Sequence, residues 1–161
     1  MRFTELSDLF YSTANSYPLV LGKSQNFIPI YEKAAENGLV LKAHVGEWGT
    51  AQDIVTAVKA LHLNEVQHGI AAIQDEDVIG FLVENNIRLN ITPSSNALLG
   101  RVPDMAHHPI AQLYRRGVNV TINSDDVLIF DSDVSKEYLR LYQSGCLTAE
   151  ELNDIRLSGL D

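Results

Sequence analysis

The sequence predicts an α/β protein whose strands run parallel in one sheet. Three observations carry this. Short runs rich in branched apolar residues recur along the chain, each followed by apolar residues at helical spacing. The strand-then-helix order repeats four times with short connections, the signature of a parallel sheet flanked by helices. Each strand also ends in residues able to bind metal, move protons or hydrogen-bond, at the edge where such sheets take their ligands.

Taken in order, residues 1–25 mix Ser, Thr, Asn and Tyr around a brief apolar stretch, Pro18 to Leu21, and predict a poorly defined amino-terminal segment. The domain is expected to span 26–161. Phe27, Ile30, Tyr31 and Ala34 fall on one helical stripe, and Asn37-Gly38 supplies a helix stop. Leu39 to Glu47 then reads as a strand: it is too short for a helix, and Gly38, Gly46 and Gly49 punctuate its ends. Thr50 is a good N-cap for the next helix, with Asp53 at the capping-box position and Ile54, Val55, Val58 and Leu61 inward.

The pattern repeats with strand Glu65 to Gly69 and a helix from Asp75 to Glu84, its inward face formed by Val78, Ile79, Leu82 and Val83. Ile87 to Thr92 alternates as a third strand and breaks at Pro93, where a Ser/Asn loop begins a long connection. His108-Pro109 opens the next helix, Val118 to Asn123 is the fourth strand, and Ser124-Asp125-Asp126 sits at its end. Helices over about 134–143 and 148–157 close the chain.

Composition excludes several function classes. A net charge of −9 and 12 scattered basic residues argue against binding nucleic-acid backbones. No run approaches 18 apolar residues and no secretory leader is evident, so no membrane contact is expected and a cytoplasmic location is. The single cysteine, Cys146, rules out a disulfide framework and any multi-cysteine zinc site.

His44-Val45-Gly46-Glu47, a histidine leaving a strand beside a glutamate on a glycine turn, offers one metal-ligand candidate and one proton-transfer candidate. With His68-Gly69, Thr92-Pro93-Ser94-Ser95-Asn96, His108-Pro109 and Thr121 to Asp126 followed by Phe130, it forms an ordered series. In order and spacing that series resembles the adenosine and adenine deaminases of the metal-dependent amidohydrolase superfamily, from about Asn26 onward.

The resemblance implies a TIM (β/α)8 barrel, of which this chain would be the carboxyl-terminal part, with about four parallel strands and flanking helices. It implies zinc as cofactor and a purine nucleoside or base as the small-molecule partner. His44 and Asp125 resemble the family's metal ligands. Glu47 resembles the acid that protonates the purine ring, His68 the histidine that orients and deprotonates the attacking water, and Asp126 a residue that hydrogen-bonds the purine. Ser95-Asn96 and His108-Pro109 are expected to be site-wall and structural features.

The family's first-strand His-x-His has no counterpart in the chain, so the zinc ligand set is incomplete and the chain reads as the carboxyl-terminal half of a deaminase, inactive alone. A half barrel with an interior of branched side chains is expected to self-associate or to join a missing amino-terminal half. Other readings stand beside this one. His44 and His68 could be core histidines, Glu47 a helix cap, and Asp125-Asp126 a capping loop pair, while Trp48 is more simply a packing residue. The whole could be a non-catalytic interaction module, or an amidohydrolase acting on a non-purine substrate.

Overall fold

The computed structural model describes residues 25–160, so the expectation for the amino-terminal segment falls almost wholly outside the described residues. A short 3-10 turn, Gln25–Phe27, leads into α1 (Ile28–Glu36). Then come β1 (Lys42–Val45), α2 (Ala51–Leu61), β2 (Glu65–His68) and α3 (Glu76–Glu84). They are followed by β3 (Arg88–Ile91), α4 (Pro93–Leu98), α5 (Ile110–Arg115) and β4 (Val120–Ile122). Three helices finish the chain: α6 (Val127–Phe130), α7 (Val134–Gln143) and α8 (Ala149–Ser158).

The sheet has the order β1-β2-β3-β4, every pair parallel and in sequence order. Sequential parallel pairing curves all four carboxyl ends toward one rim, the arrangement of a (β/α) barrel segment. Alternation sorts the side chains. Ala43, Val45, Val66, Leu89, Ile91 and Val120 are buried with Ile54, Leu82, Ile110 and Leu113 from the covering helices.

The opposite face does not carry the expected branched side chains. Lys42 Nζ lies 3.5 Å from Glu65 Oε2, and Asn90 Nδ2 donates to the same oxygen at 2.7 Å. Arg88 Nη1 stands 3.9 Å from Glu65 Oε1. Thr121 Oγ1 in turn donates to Asn90 Oδ1 at 2.7 Å. A polar ladder therefore crosses all four strands on the concave side. The alternation that put apolar residues toward the helices left the charged ones facing inward.

Local chemistry explains most boundaries. Thr50 and Asp53 form a reciprocal capping box, and Thr148 and Glu151 form another at the start of α8. Strand β1 starts at Lys42 rather than Leu39, because the Leu39 amide closes the end of α1 on Ala34 O and Leu39 and Val40 are exposed. Val83, expected inward, is 42% exposed, since the stripe Val78, Ile79 and Leu82 already faces the sheet.

The Ser/Asn segment after Pro93 is a helix, not a loop. Proline is tolerated at its first position, and the Glu137 carboxylate on α7 accepts from the Ser94 amide at 2.9 Å.

Candidate active site

The concave face of the sheet walls a cleft of about 990 Å³ that runs from Lys42, Glu65 and Arg88 to His44, His68, Thr92, Asn123 and Asp125 at the carboxyl rim. Three of the sequence-predicted site residues, one from each of β1, β2 and the end of β4, therefore share one cavity. Glu47, on the turn that follows β1, is not itself part of the wall but lies 3.5 Å from His68 Nδ1.

His44 reaches the cleft by ordinary alternation after Lys42. His68 does not: by parity it should follow Val66 into the core. Its backbone instead adopts φ +65°, a left-handed conformation rare for a side chain of this size, and the ring lines the cleft. Gly69 continues the bend at φ +66°, where a Cβ would come within 2.7 Å of the Leu89 side chain. Gly46 has φ +74°, and a Cβ there would lie 2.6 Å from Ile54 and 3.2 Å from the Gly69 backbone. The glycines of the His-Val-Gly-Glu and His-Gly motifs therefore let two strand ends close on each other.

His68 is the centre of the resulting cluster and is only 2% exposed. Its Nε2 is 3.1 Å from His44 Nδ1. Its Nδ1 is 3.0 Å from Thr92 Oγ1, 3.3 Å from Asn96 Nδ2 and 3.5 Å from Glu47 Oε1. Asn96 Nδ2 donates to Glu47 Oε1 at 2.9 Å. Beyond it, His108 Nε2 is 3.3 Å from Asn96 Oδ1, and the Ile110 amide donates to His108 Nδ1 at 3.1 Å. Arg101 Nε donates to the Glu47 carbonyl at 3.2 Å while its guanidinium stacks 3.9 Å from the centroid of the Trp48 ring.

The electrostatics follow from this packing. Burial pushes the Glu47 carboxyl above the ordinary range, the Asp125 charge adds to it, and the Asn96, Trp48 and Arg101 contacts oppose both. Burial lowers His44, opposed by Asp125. His68 falls to about 4, mainly by burial with a further push from His44, against the pull of Asp125. Asp125 is thus close enough for its charge to act on His44, Glu47 and His68 alike. The set pairs a carboxyl that resists ionisation with two histidines held neutral.

Asp126 stands apart. Its Oδ1 accepts from the Leu128 and Ile129 amides at 3.1 and 3.2 Å and caps α6, and it is not part of the cleft wall. Conversely, Asn96 and His108, expected only as wall and scaffold, join the cluster directly. Their position in the Thr-Pro-Ser-Ser-Asn and His-Pro motifs at strand and helix ends was the available signal.

For a zinc ion the residues fit in kind and fall short in number. His44 and Asp125 are suitable donors, yet among the described residues no group of three or more His, Cys, Asp or Glu is placed to hold a metal. These two donors do not by themselves complete a zinc centre.

Comparisons with known proteins give the family and the fold. The family model described as adenosine deaminase matches residues 18–161. The adenine deaminase of Vibrio parahaemolyticus is 37% identical over 135 residues, covering 84% of this chain and 40% of that protein. The crystal structure of adenine deaminase from Arthrobacter aurescens superposes with a TM-score of 0.81 at 30% identity, covering 96% of this chain and 49% of that one. A zinc-bound amidohydrolase from Burkholderia ambifaria matches at TM-score 0.77 and 22% identity over 91% of this chain and 40% of its own, a likeness of fold. The chain thus spans about half or less of the proteins it matches, and its four strands are the carboxyl-terminal part of their TIM barrel.

Proposed function

The chain belongs to the adenosine deaminase family, and from that premise we propose that it serves the hydrolytic deamination of a 6-aminopurine, adenosine or adenine, as the carboxyl-terminal half of the catalytic barrel. The observation that carries the reading is the His68 ring, with His44 3.1 Å from one nitrogen and Glu47 3.5 Å from the other. A metal-ligand candidate, a water-orienting candidate and an acid are in contact. A scatter of solvated polar residues would not present this.

In this proposal Glu47, protonated more readily than an exposed glutamate, gives its proton to the ring nitrogen N1 as the oxygen of water adds at C6. One proton of the water passes to the amino group, the C6–N bond breaks with its electron pair going to nitrogen so that ammonia leaves, and the remaining hydroxyl proton returns to Glu47 as the C6 carbonyl forms. His68 orients the water from the cleft wall. Asp126, whose two cap bonds both use Oδ1, hydrogen-bonds the imidazole side of the purine with Oδ2.

His44 and Asp125 are two of the zinc ligands, and the remaining donors come from outside the described residues or from an associating chain. A zinc ion, when bound, lowers the pKa of water to about 7 and supplies a nucleophile at neutral pH. The zinc-bound amidohydrolase of the same fold supports this cofactor. Association, with a second copy or with a complementing half barrel, is favoured by the two terminal strands, β1 and β4, each paired on one side within the described sheet.

Purified chain is tested for zinc content and for ammonia release from adenosine and adenine. Substoichiometric zinc and negligible turnover by the chain alone are expected, with both rising when a complementing half is added. Turnover near that of a typical enzyme by the chain alone overturns the division of labour. A second reading, a non-catalytic interaction module, draws on the shortage of metal donors among the described residues. It gains if gel filtration finds a stable assembly that never retains zinc.

A further inference from the structure

We propose that Asn96 and His108 are positioning residues: together they form a buried, polarised hydrogen-bond relay that aims an amide N–H at Glu47 and His68 and leaves the His68 proton on Nε2, directed at His44. The inference deepens the deaminase reading and rests on it for its catalytic meaning.

The direction of the relay follows from its outer end, where only one assignment is possible. Pro109 has no N–H, so Ile110 supplies the first free amide of the turn. That amide can only donate, and its partner 3.1 Å away is His108 Nδ1. His108 is 2% exposed and neutral, with burial taking it down to about 3. A neutral imidazole accepting at Nδ1 carries its proton on Nε2.

His108 Nε2 therefore donates to the Asn96 atom 3.3 Å away, which must be the carbonyl Oδ1. Asn96 is fully buried, so its amide has no solvent in which to turn, and Nδ2 points the other way. It donates to Glu47 Oε1 at 2.9 Å and presents its second hydrogen to His68 Nδ1 at 3.3 Å. The Thr92 hydroxyl, 3.0 Å away, can donate to the same nitrogen. Because the Asn96 amide nitrogen can only donate, His68 Nδ1 accepts and the ring hydrogen lies on Nε2, where it meets His44 Nδ1 at 3.1 Å.

The consequence reaches the chemistry. A His68 that bears its proton on Nε2 donates it to His44 Nδ1, 3.1 Å away, and so fixes that ring from its own. The two rings are thereby held in one orientation at the cleft wall. The same amide holds the Glu47 carboxyl by one oxygen, leaving the other to face the substrate. Both roles are set from α4 and from the His108 turn that opens α5, neither of which supplies a residue to the cleft wall.

The test reads the relay without substrate or metal. Full-length chain labelled with ¹⁵N-histidine is examined metal-free at neutral pH by long-range ¹H–¹⁵N correlation, which separates the two neutral tautomers. His108 and His68 are both expected with a protonated Nε2 and an unprotonated Nδ1. A protonated Nδ1 on either ring overturns the relay, whatever becomes of the variants.

Asn96→Asp, which replaces the donor by a carboxylate, is expected to move the His68 proton to Nδ1. His108→Phe is expected to release His68 into a mixture of tautomers, and His108→Gln, which still donates to Asn96, to restore the single form. An unchanged His68 pattern in folded Asn96→Asp and His108→Phe overturns the proposal. Failure of purine turnover with the expected tautomers in place sinks the deaminase reading and leaves the relay standing, so the two are distinguishable.

Discussion

His44 Nδ1 stands 3.1 Å from His68 Nε2, with ring centroids 5.1 Å apart and planes tilted by 51°. Two imidazoles this close, walled by β1 and β2, disfavour charge, and burial lowers the pKa of both rings. His108, which hydrogen-bonds the far side of Asn96, is under the same constraint for the simpler reason of burial.

Acid should therefore weaken the fold through these rings. His108 ionises in the folded chain at about 3, against about 6.5 when exposed, so the unfolded chain binds more protons throughout that interval. Its contribution is whole above pH 6.5, drains as the pH falls, and levels off near pH 3. The complete loss is about 5 kcal/mol, and His68, at about 4, adds in the same sense. Urea midpoints from pH 7.5 to 4 should fall steadily, and His108→Gln should flatten that slope. Parallel curves for the two proteins would refute the assignment.

Glu137 on α7 is 1% exposed and accepts from the Ser94 amide at the start of α4. Glu137→Ala leaves that amide without its partner and should cost about 2–3 kcal/mol in denaturant unfolding. Because α4 carries Asn96, the same variant should broaden the His68 signals. A loss below half a kilocalorie would mean that the helix start is held by something else.

Gly46→Ala meets both a left-handed backbone and the Ile54 side chain, and should cost roughly 2–4 kcal/mol. Gly38 has a similar φ of +72° with nothing within 4 Å of where a methyl group would sit, so Gly38→Ala should cost only about 1 kcal/mol. The difference between the two melts isolates the steric part. Equal losses would show that the approach of the two strand ends is not tight.

Arg101 lowers the Glu47 pKa against the combined effect of burial and Asp125. Arg101→Met keeps bulk over Trp48 and removes the cation, so the Glu47 carboxyl should stay protonated to higher pH. Carboxyl ¹³C titration checks the sign. A downward shift would contradict the arrangement of charges described above.

Much of this was legible in the residues. Capping boxes at Thr50 and Thr148 located two helices because a hydroxyl and a carboxylate three residues apart satisfy each other locally. His44 and Glu47 were legible because strand parity and a glycine turn are short-range facts. What escaped depended on distant partners.

Thr92 to Asn96 is rich in turn-forming residues, yet it is helical, its start secured by a carboxylate 43 residues further on. His68 reaches the cleft only through a backbone conformation that no alternation rule announces. The relay of Asn96 and His108 joins three separate elements. The deaminase assignment and the barrel segment stand on residues whose roles are local.

The polar ladder of Lys42, Glu65, Asn90 and Thr121 has one more effect. A concave wall tiled with ions and amides wets readily, so water can rest against it without the penalty that an oily wall would impose. The association proposed above would then draw on the rims of the sheet and not on its hollow. Whatever fills that hollow must bring donors and acceptors of its own.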